Sequence, residues 1–134
     1  MALFKWKEYY SVNINSIDLQ HKKLVTLINS LHNEINNGFN VDEVNNLISQ
    51  FKESTKHHFE TEENLLKEND YKLFLIHKEK HDELIEEVRE FGENLIEDRA
   101  DAISSLNIMI EKLKHHFLEM DRPYSPFLTA RGVS

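Results

Sequence analysis

Five histidines and two carboxylates occur in this sequence at spacings that suit metal ligands. His58 and Glu62 are four residues apart, as are His77 and His81, and residues four apart project from one face of a helix. The other candidates are His21, His116 and Asp121. Imidazole nitrogen and carboxylate oxygen are donors that suit Fe, Zn, Cu or Mn. Seven donors are too many for one tetrahedral zinc ion, so the set predicts two six-coordinate ions, with iron favoured.

Helical periodicity distinguishes the members of two adjacent histidine pairs. His58 and His116 continue the apolar faces of their helices, whereas His57 and His115 lie among mostly polar neighbours. A ligand for a metal in the core must point inward, so His58 and His116 are preferred, and His115 with Glu119 is interpreted as an exposed helix pair. The alternative for the whole set is ordinary buried histidines, but each unpartnered polar group would cost about 1–3 kcal/mol or more.

Scarce helix breakers and repeated apolar stripes predict an all-α fold. The chain has 134 residues, three glycines, two prolines and no cysteine. The sequence pattern predicts one domain, which is an up-down-up-down antiparallel four-helix bundle with an irregular N-terminal arm. The expected ranges are an arm over 1–17, helices over about 18–37, 41–68, 71–93 and 100–120, and a tail over 121–134.

Several local signals mark the expected helix ends. Asn37-Gly38 is expected to end the first helix, and Asn40 to cap the second. Asn69-Asp70 is expected to end the second helix and cap the third. The predicted core stripes also include Leu65 on the second helix and Ile85 on the third.

Composition excludes several classes of partner. The formal net charge of −8 argues against nucleic acid or an anionic membrane as a general partner. No segment approaches the roughly 20 apolar residues that a membrane-spanning helix needs. The N-terminus does not resemble a secretory signal, and the absence of cysteine fits a cytoplasmic protein. Nothing in the pattern identifies a protein partner.

Further motifs accompany the predicted ligands along nearly the whole chain. They are Trp6, Tyr10-Ser11-Val12, the segments Ile17–Lys22 and His58–Glu63, the pair His77 and His81, the segment His116–Tyr124, and Pro126-Phe127-Leu128 followed by Gly132. Together these motifs resemble the hemerythrin family, specifically its single-domain bacterial branch.

The resemblance implies a bundle that holds two non-haem iron ions and binds O2 reversibly, for storage, delivery or sensing. Two alternatives use the same centre. One is an oxidase, peroxidase or nitric-oxide-handling enzyme, and the other is a signalling or iron-homeostasis module. An O2-binding protein is favoured over an enzyme because no additional acid, base or substrate motif accompanies the ligands. No catalytic side chain is therefore predicted.

The resemblance also implies a role for each ligand. One iron would take three imidazoles and the other two, the second keeping an open position for O2, and an oxo or hydroxo group would join the bridge. The implied ligands are His77, His81 and His116 on one iron, His21 and His58 on the other, and Glu62 and Asp121 as bridges. Leu24, Phe59 and Leu113 are candidates for an apolar O2 pocket, with ordinary core packing as the alternative. Lys112 departs from the family, which often has Trp there.

Overall fold

The computed structural model describes residues 4–97 and 99–134, and four long helices form its main architecture. They are α1 (Asn15–Asn36), α2 (Val41–Glu68), α3 (Phe74–Glu97) and α4 (Ala102–His115). A π-helical turn (His116–Asp121) continues α4, a short α5 (Ser125–Thr129) lies near the C-terminus, and 3-10 turns occupy Glu8–Tyr10, Arg99–Asp101 and Arg122–Tyr124. Each long helix packs on the next, and α4 also packs on α1, which closes the predicted up-down-up-down bundle.

The first two loops follow the expected signals in part. Asn37 caps α1 and Gly38 adopts a φ of +120°, a left-handed conformation that glycine takes without strain. The Asn40 side chain accepts a hydrogen bond from the Glu43 N–H at 3.0 Å, which confirms the predicted cap of α2. Asn69 ends α2 as expected. The prediction that Asp70 caps the third helix is wrong, because α3 begins only at Phe74.

Two helices extend beyond the expected ranges, for identifiable reasons. Helix α1 begins at Asn15 rather than at residue 18, because the Asp18 carboxylate lies in the first turn and accepts the Val12 N–H at 2.9 Å. Helix α3 continues past Gly92 to Glu97. A Cβ on Gly92 would lie 2.8 Å from Cγ2 of Ile48, so this glycine permits close packing of α3 on α2 rather than ending the helix.

Two apolar clusters surround the middle of the bundle. The larger joins all four long helices to the N-terminal arm, and the smaller packs the C-terminal segment against α1 and α2 around Tyr124. Two core predictions were wrong: Leu66 is fully buried where Leu65 was expected, and Ile85 is 39% exposed, although Leu84 of the same predicted stripe is buried as expected. Within the described residues, no helix has the length and apolarity needed to span a membrane.

Hydrogen bonds fix both chain ends to the bundle. The Phe4 N–H donates to Asn29 Oδ1 at 2.9 Å, and Asn29 Nδ2 donates back to the Phe4 carbonyl at 2.7 Å. At the other end, the Ser125 hydroxyl donates to the Val12 carbonyl at 2.6 Å. The arm is therefore fixed to α1, the C-terminal segment is fixed to the arm, and Tyr124 lies in the interior.

Candidate metal centre

The seven predicted ligands all lie in the interior of the bundle. None of them is more than 4% exposed, and four are completely buried: His21, His58, His81 and Asp121. The neighbours that periodicity assigned to the outside, His57 and His115, are exposed. The helix faces therefore divide both adjacent histidine pairs as the sequence predicted.

The seven side chains form two overlapping groups. Within each group, one donor atom per residue lies within 4.8 Å of every other. The three-histidine group is His77, His81, His116, Glu62 and Asp121, and the two-histidine group is His21, His58, Glu62 and Asp121. Both carboxylates belong to both groups, which is the arrangement that two adjacent cations with shared anionic ligands require.

Asp121 faces one group with each of its oxygens. Its Oδ1 lies 3.1 Å from Nε2 of His77 and 3.1 Å from Nε2 of His116. Its Oδ2 lies 3.0 Å from Nε2 of His21. The two oxygens of this carboxylate thus point toward different groups, as in a bridge.

Glu62 contacts both groups in a different way. Its Oε1 lies 3.0 Å from Nε2 of His58 and 3.2 Å from Nε2 of His81. Its Oε2 accepts a short hydrogen bond from the Tyr124 hydroxyl. One oxygen therefore faces both histidine groups, while Tyr124 holds the other.

A local change of helix type brings His116 and Asp121 together. Residues five apart are separated by about 140° around an α-helix of 3.6 residues per turn. From His116 to Asp121 the chain forms a π-helical turn, in which backbone hydrogen bonds join residues five apart and bring them toward the same side of the helix. The sequence predicted a regular α-helix to residue 120, and the five-residue spacing of the two ligands was the available signal for the change.

Two of the five imidazoles have an identified partner at the ring nitrogen that faces away from the carboxylates. Nδ1 of His58 lies 2.7 Å from Oε1 of Gln20, and Nδ1 of His81 lies 2.9 Å from Oε2 of Glu63. These contacts leave Nε2 as the lone-pair donor in both rings. The sequence did not identify Gln20, although it directly precedes His21.

Aromatic rings cover both groups. Phe59 stacks on His81 with ring centroids 3.9 Å apart and an interplanar angle of 3°. Phe117 stacks on His21 at 4.1 Å and 23°. The sequence predicted only Phe59 here; Phe117 follows His116 directly and was missed. The other two predicted pocket residues, Leu24 and Leu113, are also buried in the larger cluster.

The unsatisfied polar atoms of the cluster fit a cation. Nε2 of all five histidines, Oε1 of Glu62 and both oxygens of Asp121 are buried without a hydrogen bond of acceptable geometry, although they lie 3.0–3.2 Å from one another. Each orphaned group costs about 1–3 kcal/mol, and more if charged. Metal ions between these atoms would satisfy all of them at once.

The electrostatics of the cluster also favour positive charge. Burial alone would raise the pKa of Glu62 and Asp121, but the facing histidines hold the pKa of both carboxyls below their usual range. Burial lowers the pKa of His21, and His58 lowers it further. Burial would also lower the pKa of His58, but Glu62 holds it above its ordinary value. The carboxylates thus attract protons to the site, and a metal ion competes for the same positions.

One surface groove reaches the cluster. It lies between α3 and α4, has a volume of about 650 Å³, and touches His116 near Leu84 and Met120. Lys112 also lines this groove, where its Nζ lies 3.3 Å from Glu87 on the opposite helix. The residue that departs from the family pattern therefore forms an ion pair across the groove.

Comparisons with known proteins identify similar sequences and a similar fold. The family model described as "Hemerythrin HHE cation binding domain" matches residues 12–128. A bacteriohemerythrin of Clostridium acetobutylicum is 32% identical over 127 residues, which cover 91% of this chain and 98% of that protein. A bacteriohemerythrin of Methylococcus capsulatus is 26% identical over 132 residues, which cover 97% and 100%. Two crystal structures of hemerythrin leucine mutants share the fold, with a TM-score of 0.82, 24% identity and coverage of 96% of this chain and 99% of theirs.

Proposed function

Because the chain belongs to the hemerythrin HHE cation-binding family, we propose that it binds O2 reversibly at a non-haem di-iron centre. The observation that carries this proposal is the division of seven buried donors into two groups that share two carboxylates. Carboxylate and imidazole donors suit iron, and the shared carboxylates suit two ions held side by side.

The unequal groups supply the asymmetry that O2 binding requires. Three imidazoles, one oxygen from each carboxylate and a bridging oxo or hydroxo group give six ligands. Two imidazoles, an oxygen from each shared carboxylate and the same bridging group would give five, which would leave one position for O2. The proposed ligands are His77, His81 and His116 for the first position, His21 and His58 for the second, and Glu62 and Asp121 for both. A bound pair of ferrous ions supplies the two electrons that O2 accepts on binding and returns on release.

The surrounding side chains keep the site dry and fixed. We assign the O2 pocket to Leu24, Phe59 and Leu113, with Phe117 added because it stacks on His21. Burial and the Glu62 charge raise the pKa of Tyr124 well above its ordinary value, so its hydroxyl stays protonated and donates to Glu62. These residues hold the carboxylate in place and exclude the water that would compete for the open position.

Anaerobic spectroscopy on the iron-loaded protein tests this function. Protein purified without oxygen should contain two iron ions per chain and be colourless in the visible range. Air should produce a visible charge-transfer band that disappears when O2 is removed. Two irons without such a band would contradict O2 binding. Sustained turnover with an added reductant, faster than autoxidation, would favour the enzyme alternative instead.

Adjacent histidines provide a matched control for that experiment. His116→Ala removes a proposed ligand, and His115→Ala removes an exposed ring one residue away. We expect the first variant to lose the visible band and the second to retain it with unchanged iron content. Equal behaviour of the two variants would contradict the assignment of His116.

A further inference from the structure

The imidazoles of His58 and His81 are supported by acceptors of different charge. His58 donates its Nδ1–H to the neutral amide oxygen of Gln20 at 2.7 Å, and His81 donates to the carboxylate of Glu63 at 2.9 Å. His58 belongs to the two-histidine group and His81 to the three-histidine group. The difference in charge therefore coincides with the difference between the groups.

A second hydrogen bond fixes the orientation of the Gln20 amide. The Thr61 hydroxyl donates to the His57 carbonyl at 3.0 Å, so its oxygen is free to accept from Nε2 of Gln20 at 3.2 Å. With its NH2 group engaged there, Gln20 presents its oxygen to His58. This amide thus acts as a fixed neutral acceptor for the ring.

Glu63 directs its charge toward His81 from the same helix that carries Glu62. Its Oε2 accepts from His81, while its Oε1 lies 3.8 Å from the half-exposed Lys78 ammonium. The Glu63 side chain is only 20% exposed, so its carboxylate is partly shielded from water. A negative acceptor polarises the N–H bond more strongly than an amide and makes the imidazole a better donor to a metal.

We propose that Gln20 and Glu63 are positioning residues that widen the difference between the two metal positions, an inference that rests on the proposed function. Glu63 strengthens His81 as a donor, so the three-histidine position binds its ion first and more tightly. Gln20 orients His58 without adding charge, so the two-histidine position stays the weaker one.

Cobalt(II) binding to the iron-free protein tests the proposal without using O2. Wild-type protein should bind two Co²⁺ ions in two steps of different affinity. Glu63→Gln should weaken the tighter step by about 10- to 100-fold, the usual effect of removing a charged partner behind a ligand. Gln20→Glu should strengthen the weaker step by a similar factor. Glu60→Gln, an exposed neutralisation on the same helix, should change neither step.

The outcomes separate this inference from the function on which it rests. If wild-type protein binds no Co²⁺ at these residues, the proposed centre and the inference both fail. If two ions bind but both exchanges leave the two affinities unchanged, only the inference is overturned. A lower melting temperature of the metal-free variants with unchanged affinities would show a structural role alone and would also overturn it. The double exchange of both residues keeps total charge constant and should bring the two steps closer together.

Discussion

The three-histidine group takes its imidazoles from α3 and the π-helical turn after α4, whereas His21 and His58 come from α1 and α2. Each histidine group thus belongs to one pair of neighbouring helices. The carboxylates cross between the pairs: Glu62 of α2 lies 3.2 Å from His81, and Asp121 of the turn lies 3.0 Å from His21. The two helical hairpins are therefore joined at the site by shared ligands, and metal binding should hold them together.

Removal of a shared carboxylate should have the largest effect, because it damages both groups. We expect Glu62→Ala to lose both iron ions and the visible band. Glu63→Ala should keep both ions and weaken only the tighter one by about 10- to 100-fold, because Glu63 reaches the site only through His81. Iron analysis of the two purified variants measures the difference. Equal iron content would contradict the shared role of Glu62.

Removal of one histidine should distinguish the two groups. His21→Ala leaves one imidazole in its group, so we expect one iron per chain and no O2 band. His77→Ala leaves two imidazoles in the larger group. This variant should therefore still bind some iron in that group, in addition to the ion beside His21 and His58. Metal analysis together with the aerobic spectrum compares the variants. Full iron content and a normal band in His21→Ala would show that the two-histidine position is wrongly assigned.

Removal of the metal should weaken the association of the two helical hairpins and so lower the stability of the fold. A ligand present at a hundred times its Kd stabilises the folded state by about 2.7 kcal/mol per ion, or roughly 10 °C in melting temperature for a chain of this size. Metal-free protein also keeps two buried carboxylates close together. Calorimetry of the two forms should therefore show a lower melting temperature without iron. Equal melting temperatures would argue against a site in the core.

The smallest expected effect concerns Tyr124, which supports one carboxylate without belonging to either group. Tyr124→Phe removes a buried hydrogen bond to Glu62, a loss of roughly 1.5–3 kcal/mol for a charged acceptor. It should lower stability and leave two iron ions bound. Tyr71→Phe removes a hydroxyl from the half-buried ring packed beside Tyr124 and should change stability less. Thermal unfolding of both variants tests this, and a larger loss for Tyr71→Phe would contradict it.

Periodic features of the chain were predictable from its sequence. The four-helix fold follows from apolar stripes at helical spacing, and the inward positions of His58 and His116 follow from the same stripes. The differences between the predicted and the observed helix ranges have local causes, which a periodic pattern does not reveal. Gly92 lies inside α3, where α2 packs closely against it, and α1 begins at Asn15, with Asp18 in its first turn accepting the Val12 N–H.

The surroundings of the ligands were less predictable than the ligands themselves. Gln20 and Phe117 each adjoin a predicted ligand in sequence, but their contacts join elements far apart in the chain. Such contacts are decided by tertiary structure, so spacing alone did not reveal them. The π-helical turn at His116–Asp121 did leave a signal in the sequence, the five-residue spacing of its two predicted ligands, but the prediction there was a regular α-helix to residue 120.

Anomalous diffraction at the iron edge, from crystals of the iron-loaded protein, would locate the proposed iron positions. We expect two iron peaks side by side, one among His77, His81 and His116 and the other beside His21 and His58, with Glu62 and Asp121 contacting both. A single peak, or two peaks that share neither carboxylate, would contradict this expectation.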